Sequence, residues 1–125
     1  MKIAIIDDNT DFVEATRTLL EANDYTVVAA HNGNDGFALV KNEKPDLLLL
    51  DVMMAHDTEG FELANKLKDD PETNYLPVII ITGIRKEKGL PFSFEPDEEW
   101  LPVKAVLEKP VKPGELLAQI KSIVN

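Results

Sequence analysis

Five side chains in this sequence are of the right types to share one piece of chemistry: Asp7, Asp8, Asp51, Thr82 and Lys109. Each stands where an apolar run stops. "KIAIIDD" ends in Asp7 and Asp8, "LLLLD" in Asp51, "VIIIT" in Thr82 and "VKAVLEK" in Lys109. Carboxylates brought close together repel one another unless something neutralises them, and Lys109 alone carries too little charge for three. A hard divalent cation does suffice. Carboxylate oxygens suit Mg²⁺, which keeps part of its water shell and accepts phosphate oxygens into it. Such an ion beside a lysine is a receptor for a phosphoryl group. Asp51 is then a candidate nucleophile that forms an acyl phosphate. Thr82 is a candidate hydrogen-bond donor to a phosphoryl oxygen, and Gly83 leaves room for phosphate to approach the backbone. Taken singly, each has a plainer reading. Asp7–Asp8 before Asn9 and Thr10 also reads as a strand-end turn with a helix cap. Asp51 also reads as a loop residue, Thr82–Gly83 as a turn, and Lys109–Pro110 as a solvated lysine before a turn. The joint placement favours shared chemistry.

The placement depends on the elements around these residues. Short β-branched or continuous apolar runs predict strands over 2–7, 25–30, 46–52, 76–82 and 103–109. Between them, helical spacing of apolar residues predicts helices over 9–23, with Asn9 or Thr10 as N-cap, and over 32–44, which Pro45 ends. Further helices are predicted over 59–70, stopped by Pro71, and over 113–124. The region 83–102 holds Pro91, Pro96 and Pro102 and reads as irregular, with one short helix at 96–100. Strands that alternate with helices and are apolar throughout imply a parallel sheet between two helix layers. The expected fold class is a three-layer α/β sandwich, flavodoxin-like (βα)5, with sheet order 2-1-3-4-5. In that order the first strand lies beside the third, and ligands bind beyond the carboxyl ends of the strands.

Composition narrows the function. The 125 residues suit one domain, 1–125, and 44% hydrophobic content can build its core. With 13 basic and 23 acidic residues the net charge is −10, which argues against direct binding of nucleic acid or an anionic membrane. Without cysteine there is no disulfide framework and no thiolate metal site, which fits a reducing cytoplasm. No apolar run approaches the roughly 18–20 residues that span a bilayer.

The segments "IIDD" (5–8), "LLLLDVMM" (47–54), "IIITG" (79–83) and "LEKPV" (107–111) together resemble the receiver domain of bacterial two-component response regulators, over essentially the whole chain. The resemblance implies that Asp51 accepts a phosphoryl group from a phosphohistidine on a histidine kinase or histidine phosphotransfer protein. It implies that Asp8 and Asp51 bind Mg²⁺ directly, that Asp7 holds it largely through water, and that the Met53 backbone carbonyl completes the set. It further implies that Lys109 pairs with the aspartate and then the phosphate, that Thr82 reorients towards the phosphoryl oxygen, and that the Lys109–Pro110 bond is cis. The only reaction it implies is the domain's own phosphorylation and dephosphorylation, with output through protein contacts and no output domain in these residues. The face made by the fourth-helix region, the fifth strand and the final helix is the expected place for a partner or a dimer.

Several positions depart from the family pattern. Val106 stands where an aromatic switch residue is usual, and a valine cannot swing between buried and exposed states. Ala55 replaces a usual proline, the loop 55–60 is one residue longer, and the fourth-helix region is extended. Phe92, Phe94 and Trp100 there read either as an output surface or as a seal on the core. His31 and His56 are isolated and read as surface or loop residues, with tuning of dephosphorylation near Asp51 as an alternative reading of His56. Met53 and Met54 read as packing residues. Two other readings remain: a degenerate receiver that acts as a phosphate-independent scaffold, which Val106 supports, and a Mg²⁺-dependent aspartyl phosphatase. The second would usually carry an acid at position 53, which is Met here.

Overall fold

In the computed structural model, residues 1–51, 59–82, 103–109 and 111–124 are described. They form β1 (Lys2–Ile6), α1 (Thr10–Glu21), β2 (Thr26–Ala30), α2 (Gly33–Glu43), β3 (Leu47–Asp51), α3 (Glu59–Asp69), β4 (Val78–Thr82), β5 (Val103–Glu108) and α4 (Pro113–Val124). The sheet order is β2-β1-β3-β4-β5, and every pair is parallel. This is the expected order. The short helix expected at 96–100, residues 55–58 of the loop expected at 55–60 with His56, Met53 and Met54, and the aromatics Phe92, Phe94 and Trp100 lie outside the described residues; Glu59 and Gly60, expected in that loop, open α3. So does Pro110, and with it the Lys109–Pro110 bond.

Both faces of the sheet are covered because side chains alternate along a strand. Ala4, Ile6, Leu48, Leu50, Val78 and Ile80 face α2 and α3, where Val40, Leu63 and Leu67 meet them. Ile3, Ile5, Leu47, Leu49, Ile79, Ile81 and Leu107 face α1 and α4, where Val13, Leu20, Leu116 and Ile120 meet them. Two apolar faces on every central strand explain the unbroken runs in the sequence.

The ends of the elements follow from local chemistry. Asn9 caps α1 by accepting from the Phe12 N–H at 3.0 Å, and Asn32 caps α2 by accepting from the Asp35 N–H at 2.8 Å. Lys44 closes α2 in the left-handed region, with φ 49°, immediately before Pro45. β1 stops one residue earlier than expected, because the Asp7 carboxylate turns back to accept the Asn9 N–H at 2.9 Å. β4 begins at Val78 and not at Leu76, since Pro77 has no N–H for the ladder. Gly36 lets α2 sit close to β1. A Cβ on Gly36 would come within 2.7 Å of Ile6 Cδ1, inside a wholly buried side chain.

Lys41 on α2 is ion-paired with Asp70, at 2.6 Å, and with Glu72, and so ties α2 to the turn after α3. The hydrogen bond from Lys41 holds the Asp70 carboxyl below its ordinary 3.8, and the two carboxylates hold Lys41 above its ordinary 10.5. The depressed carboxyl stabilises the fold above 3.8 and loses that contribution as pH falls through its lower folded value. The raised lysine contributes fully below 10.5 and loses its contribution as pH climbs past it.

Two outcomes follow for stability. Gly36→Val should lower the urea-unfolding free energy by roughly 1–3 kcal/mol, because the added methyls overpack Ile6. Asp70→Asn should cost a small, constant amount between about pH 5 and 9, and the gap to the parent should close on acidification below the ordinary carboxylate range. Thermal melts of both proteins across that range check it.

Candidate functional site

The period-2 alternation that buries the core also builds the site. Asp7 continues the row Ile3, Ile5; Asp51 continues Leu47, Leu49; Lys109 continues Leu107. All three rows belong to the face covered by α1 and α4. β1 and β3 are adjacent, and they are also where the winding of the chain reverses, since β2 lies on one side and β4 on the other. Strand β5 reaches the same edge with a register shift near Val78, after which Ile81 opposes Leu107 and Thr82 opposes Glu108.

One ligand oxygen each from Asp7, Asp8 and Asp51 can be chosen so that all lie within 4.8 Å of one another. Asp7 and Asp51 are 1% and 3% exposed, whereas Asp8 is exposed to solvent. Lys109 Nζ lies 2.7 Å from Asp7 Oδ2 and 3.5 Å from Asp51 Oδ2. It also sits 4.5 Å from the centre of the Phe12 ring, so the face of that ring supports the ammonium from the α1 side. Although Lys109 is close to Asp7 Oδ2, this buried oxygen has no aligned hydrogen bond among the described residues. The contact is one of charge.

Magnitudes decide what the cluster needs. At the separations seen, each pair of like charges costs roughly 3 kcal/mol at an effective dielectric of about 20. The ammonium offsets repulsion of that order, but not the desolvation of two carboxylates that are almost wholly out of water. The donors are all oxygen, Asp8 keeps the cluster open to solvent, and Asp7 Oδ2 lacks an aligned donor. That donor set fits a hard, partly hydrated divalent cation such as Mg²⁺.

Of the residues singled out from sequence, the structure brings together Asp7, Asp8, Asp51 and Lys109. Thr82 ends β4 at the same edge by its backbone, and its hydroxyl lies outside the described residues, as does Met53. Val106 is on β5 and 40% exposed. Two further participants carry no mark of the site in the sequence. Phe12 has the helical spacing of an ordinary core position of α1. His31 reads as an isolated surface residue and is exposed, and its Nδ1 lies 3.1 Å from the Asp7 carbonyl oxygen. The signal for His31 was positional: in a 2-1-3 order the end of the second strand abuts the end of the first.

Sheet order and acidic rim together define the class of protein. The family model of the response regulator receiver domain matches residues 3–121, and the chain belongs to that family. It is 34% identical to protein PilH of Pseudomonas aeruginosa, over 98% of this chain and 97% of the relative. It is 30% identical to the polar-differentiation response regulator DivK of Brucella anthropi, over 98% of this chain and 95% of the relative. The crystal structure of a CheY-like response regulator receiver domain protein from Methanospirillum hungatei superposes with a TM-score of 0.79 at 31% identity, covering 98% of this chain and 91% of that one. No helix among the described residues is long and apolar enough to cross a membrane.

Removing one charge at a time should separate attraction from repulsion in the metal-free protein. Lys109→Met should destabilise by roughly 2–4 kcal/mol, somewhat below the cost for a fully buried pair because the lysine side chain is 21% exposed. Asp8→Asn should instead raise stability, by about 0.5–2 kcal/mol, by removing one repelling charge. Urea unfolding in the presence of a chelator reads both.

Proposed function

We propose that the chain works as a single receiver domain, 1–125, that accepts a phosphoryl group on Asp51 from a phosphohistidine of a histidine kinase or histidine phosphotransfer protein. One observation carries this reading: the buried Asp51 carboxylate lies at the sheet rim beside Asp7, Asp8 and the Lys109 ammonium. An Asp51 oxygen attacks phosphorus, the P–N bond to the donor imidazole breaks, and its electron pair returns to the ring nitrogen. Hydrolysis reverses the load when water attacks the same phosphorus and Asp51 leaves as carboxylate. These are the only reactions in this reading, and the domain is otherwise not an enzyme.

Asp8 and Asp51 would hold Mg²⁺ directly, Asp7 largely through water, and Met53 through its backbone carbonyl. When bound, the ion neutralises charge that develops on the phosphoryl oxygens. Lys109 holds its ammonium within reach of Asp51 and can pair with an anionic group attached there without leaving the Phe12 ring. Thr82 would donate to a phosphoryl oxygen from the end of β4. Output would pass through protein contacts at the face that includes β5 and α4, where a partner or a second copy docks, in the cytoplasm.

Val106 favours a second reading, a phosphate-independent scaffold. A valine 40% exposed on β5 offers no ring to swing, so position 106 supplies no aromatic route from phosphate to β5. Equal affinity for a partner with and without a phosphoryl mimic would support the scaffold.

Incubation with acetyl phosphate and Mg²⁺ should add one phosphate-sized mass to the intact protein. The gain should vanish in Asp51→Asn and fall to background with a chelator. Labelling that persists in Asp51→Asn would sink the assignment.

A further inference from the structure

We infer that His31 is a positioning residue for the acidic cluster: its imidazole replaces a missing rung between β1 and β2 and fixes the backbone that carries Asp7 and Asp8. The inference rests on reading Asp7, Asp8 and Asp51 as a cation site. The β1–β2 ladder pairs Ile6 with Ala30, and β2 then ends. The Asp7 N–H still finds a strand partner, donating to the Ala30 carbonyl at 3.1 Å. The Asp7 carbonyl would need the next donor of β2, the Asn32 N–H, and among the described residues no backbone hydrogen bond joins the two. Asp7 is 1% exposed, so a carbonyl left unpaired there would be costly. The His31 ring fills the gap, with Nδ1 at 3.1 Å.

A carbonyl oxygen only accepts, so Nδ1 must carry the proton, and the lone pair of the neutral ring lies on Nε2. With this bond the Asp7 N–H is held by Ala30, the carbonyl by His31 and Oδ1 by the Asn9 N–H, and Oδ2 keeps the charge contact with Lys109 and no aligned hydrogen bond among the described residues. Asp8 follows on the next bond of the chain, so rotation at the Asp7 carbonyl moves the exposed carboxylate directly. A cation that demands close, regular oxygen ligands tolerates little such slack.

The test uses the full chain and two measurements. Nitrogen-15 NMR of the parent protein, at a pH well above the imidazole range, should show the Nδ1–H tautomer. Calorimetric titration with Mg²⁺ should show affinity weakened roughly 10-fold in His31→Leu. In His31→Asn, whose amide nitrogen can reach the same carbonyl, it should return to within about 3-fold of the parent. The Nε2–H tautomer in the parent would overturn the proposal, as would His31→Leu binding Mg²⁺ like the parent. Equal loss in the leucine and asparagine variants, at matched urea midpoints, would assign the effect to ring bulk and overturn the donor role. If His31→Leu fails to fold, the tautomer and the asparagine variant decide. No Mg²⁺ binding by the parent would instead refute the cation site beneath the inference, and the tautomer would report on the hydrogen bond by itself.

Discussion

Two carboxylates almost wholly withdrawn from water, Asp7 and Asp51, share one ammonium, and a third carboxylate stands beside them in solvent. The rest of the molecule makes this crowding tolerable. Charges this close would drift apart on flexible loops. Here Asp51 is the last residue of β3 and Asp7 follows β1 directly, and all eight apolar residues of those strands, Ile3–Ile6 and Leu47–Leu50, are 0–1% exposed. A buried parallel sheet is rigid because both faces are packed, so the cost of bringing the carboxylates together is met once, by folding. Lys109 is held in the same way, at the end of β5 and over the Phe12 ring.

The same packing decides which side of the sheet the chemistry uses. Asp7, Asp51 and Lys109 all continue rows that face α1 and α4. A shift of one residue in any of the three strands would turn that side chain to the α2–α3 side and dismantle the cluster. The register shift between β4 and β5 belongs to this requirement: after it, Leu107 opposes Ile81, and the next residue of that row is Lys109. The irregularity therefore has a positional consequence at the site.

Strand number, sheet order and the four site residues were legible because each rests on a strong local pattern. Unbroken apolar runs mark strands covered on both faces, and the polar residue that ends each run marks the rim. Boundaries were less legible where one atom decides. Asp7 leaves β1 because its own carboxylate captures the Asn9 N–H, and Pro77 delays β4 because it lacks a donor. Phe12 and His31 were not legible as site residues. Phe12 has the helical spacing of any core residue, and its second role exists only because the ammonium arrives from a residue 97 positions later. His31 has no spacing relation to Asp7; it meets that residue through the pairing of β1 with β2.

The unequal hold on Lys109 bears on how the proposed chemistry is divided. The ammonium is 2.7 Å from Asp7 and 3.5 Å from Asp51, so the closer ion pair belongs to the carboxylate that is not the proposed nucleophile. A nucleophile whose oxygens were tied in the tightest pair would have to break it before attack, and in a buried site that costs several kcal/mol. Asp7 makes the closer ion pair, Phe12 supports the ammonium, and Lys109 also donates a hydrogen bond to Asp51 at 3.5 Å, so the lysine already stands beside the carboxylate proposed to react. A phosphoryl group on Asp51 would then compete with Asp7 for the same ammonium. Such competition is a differential contact of the kind a switch requires, and it needs no aromatic ring at position 106.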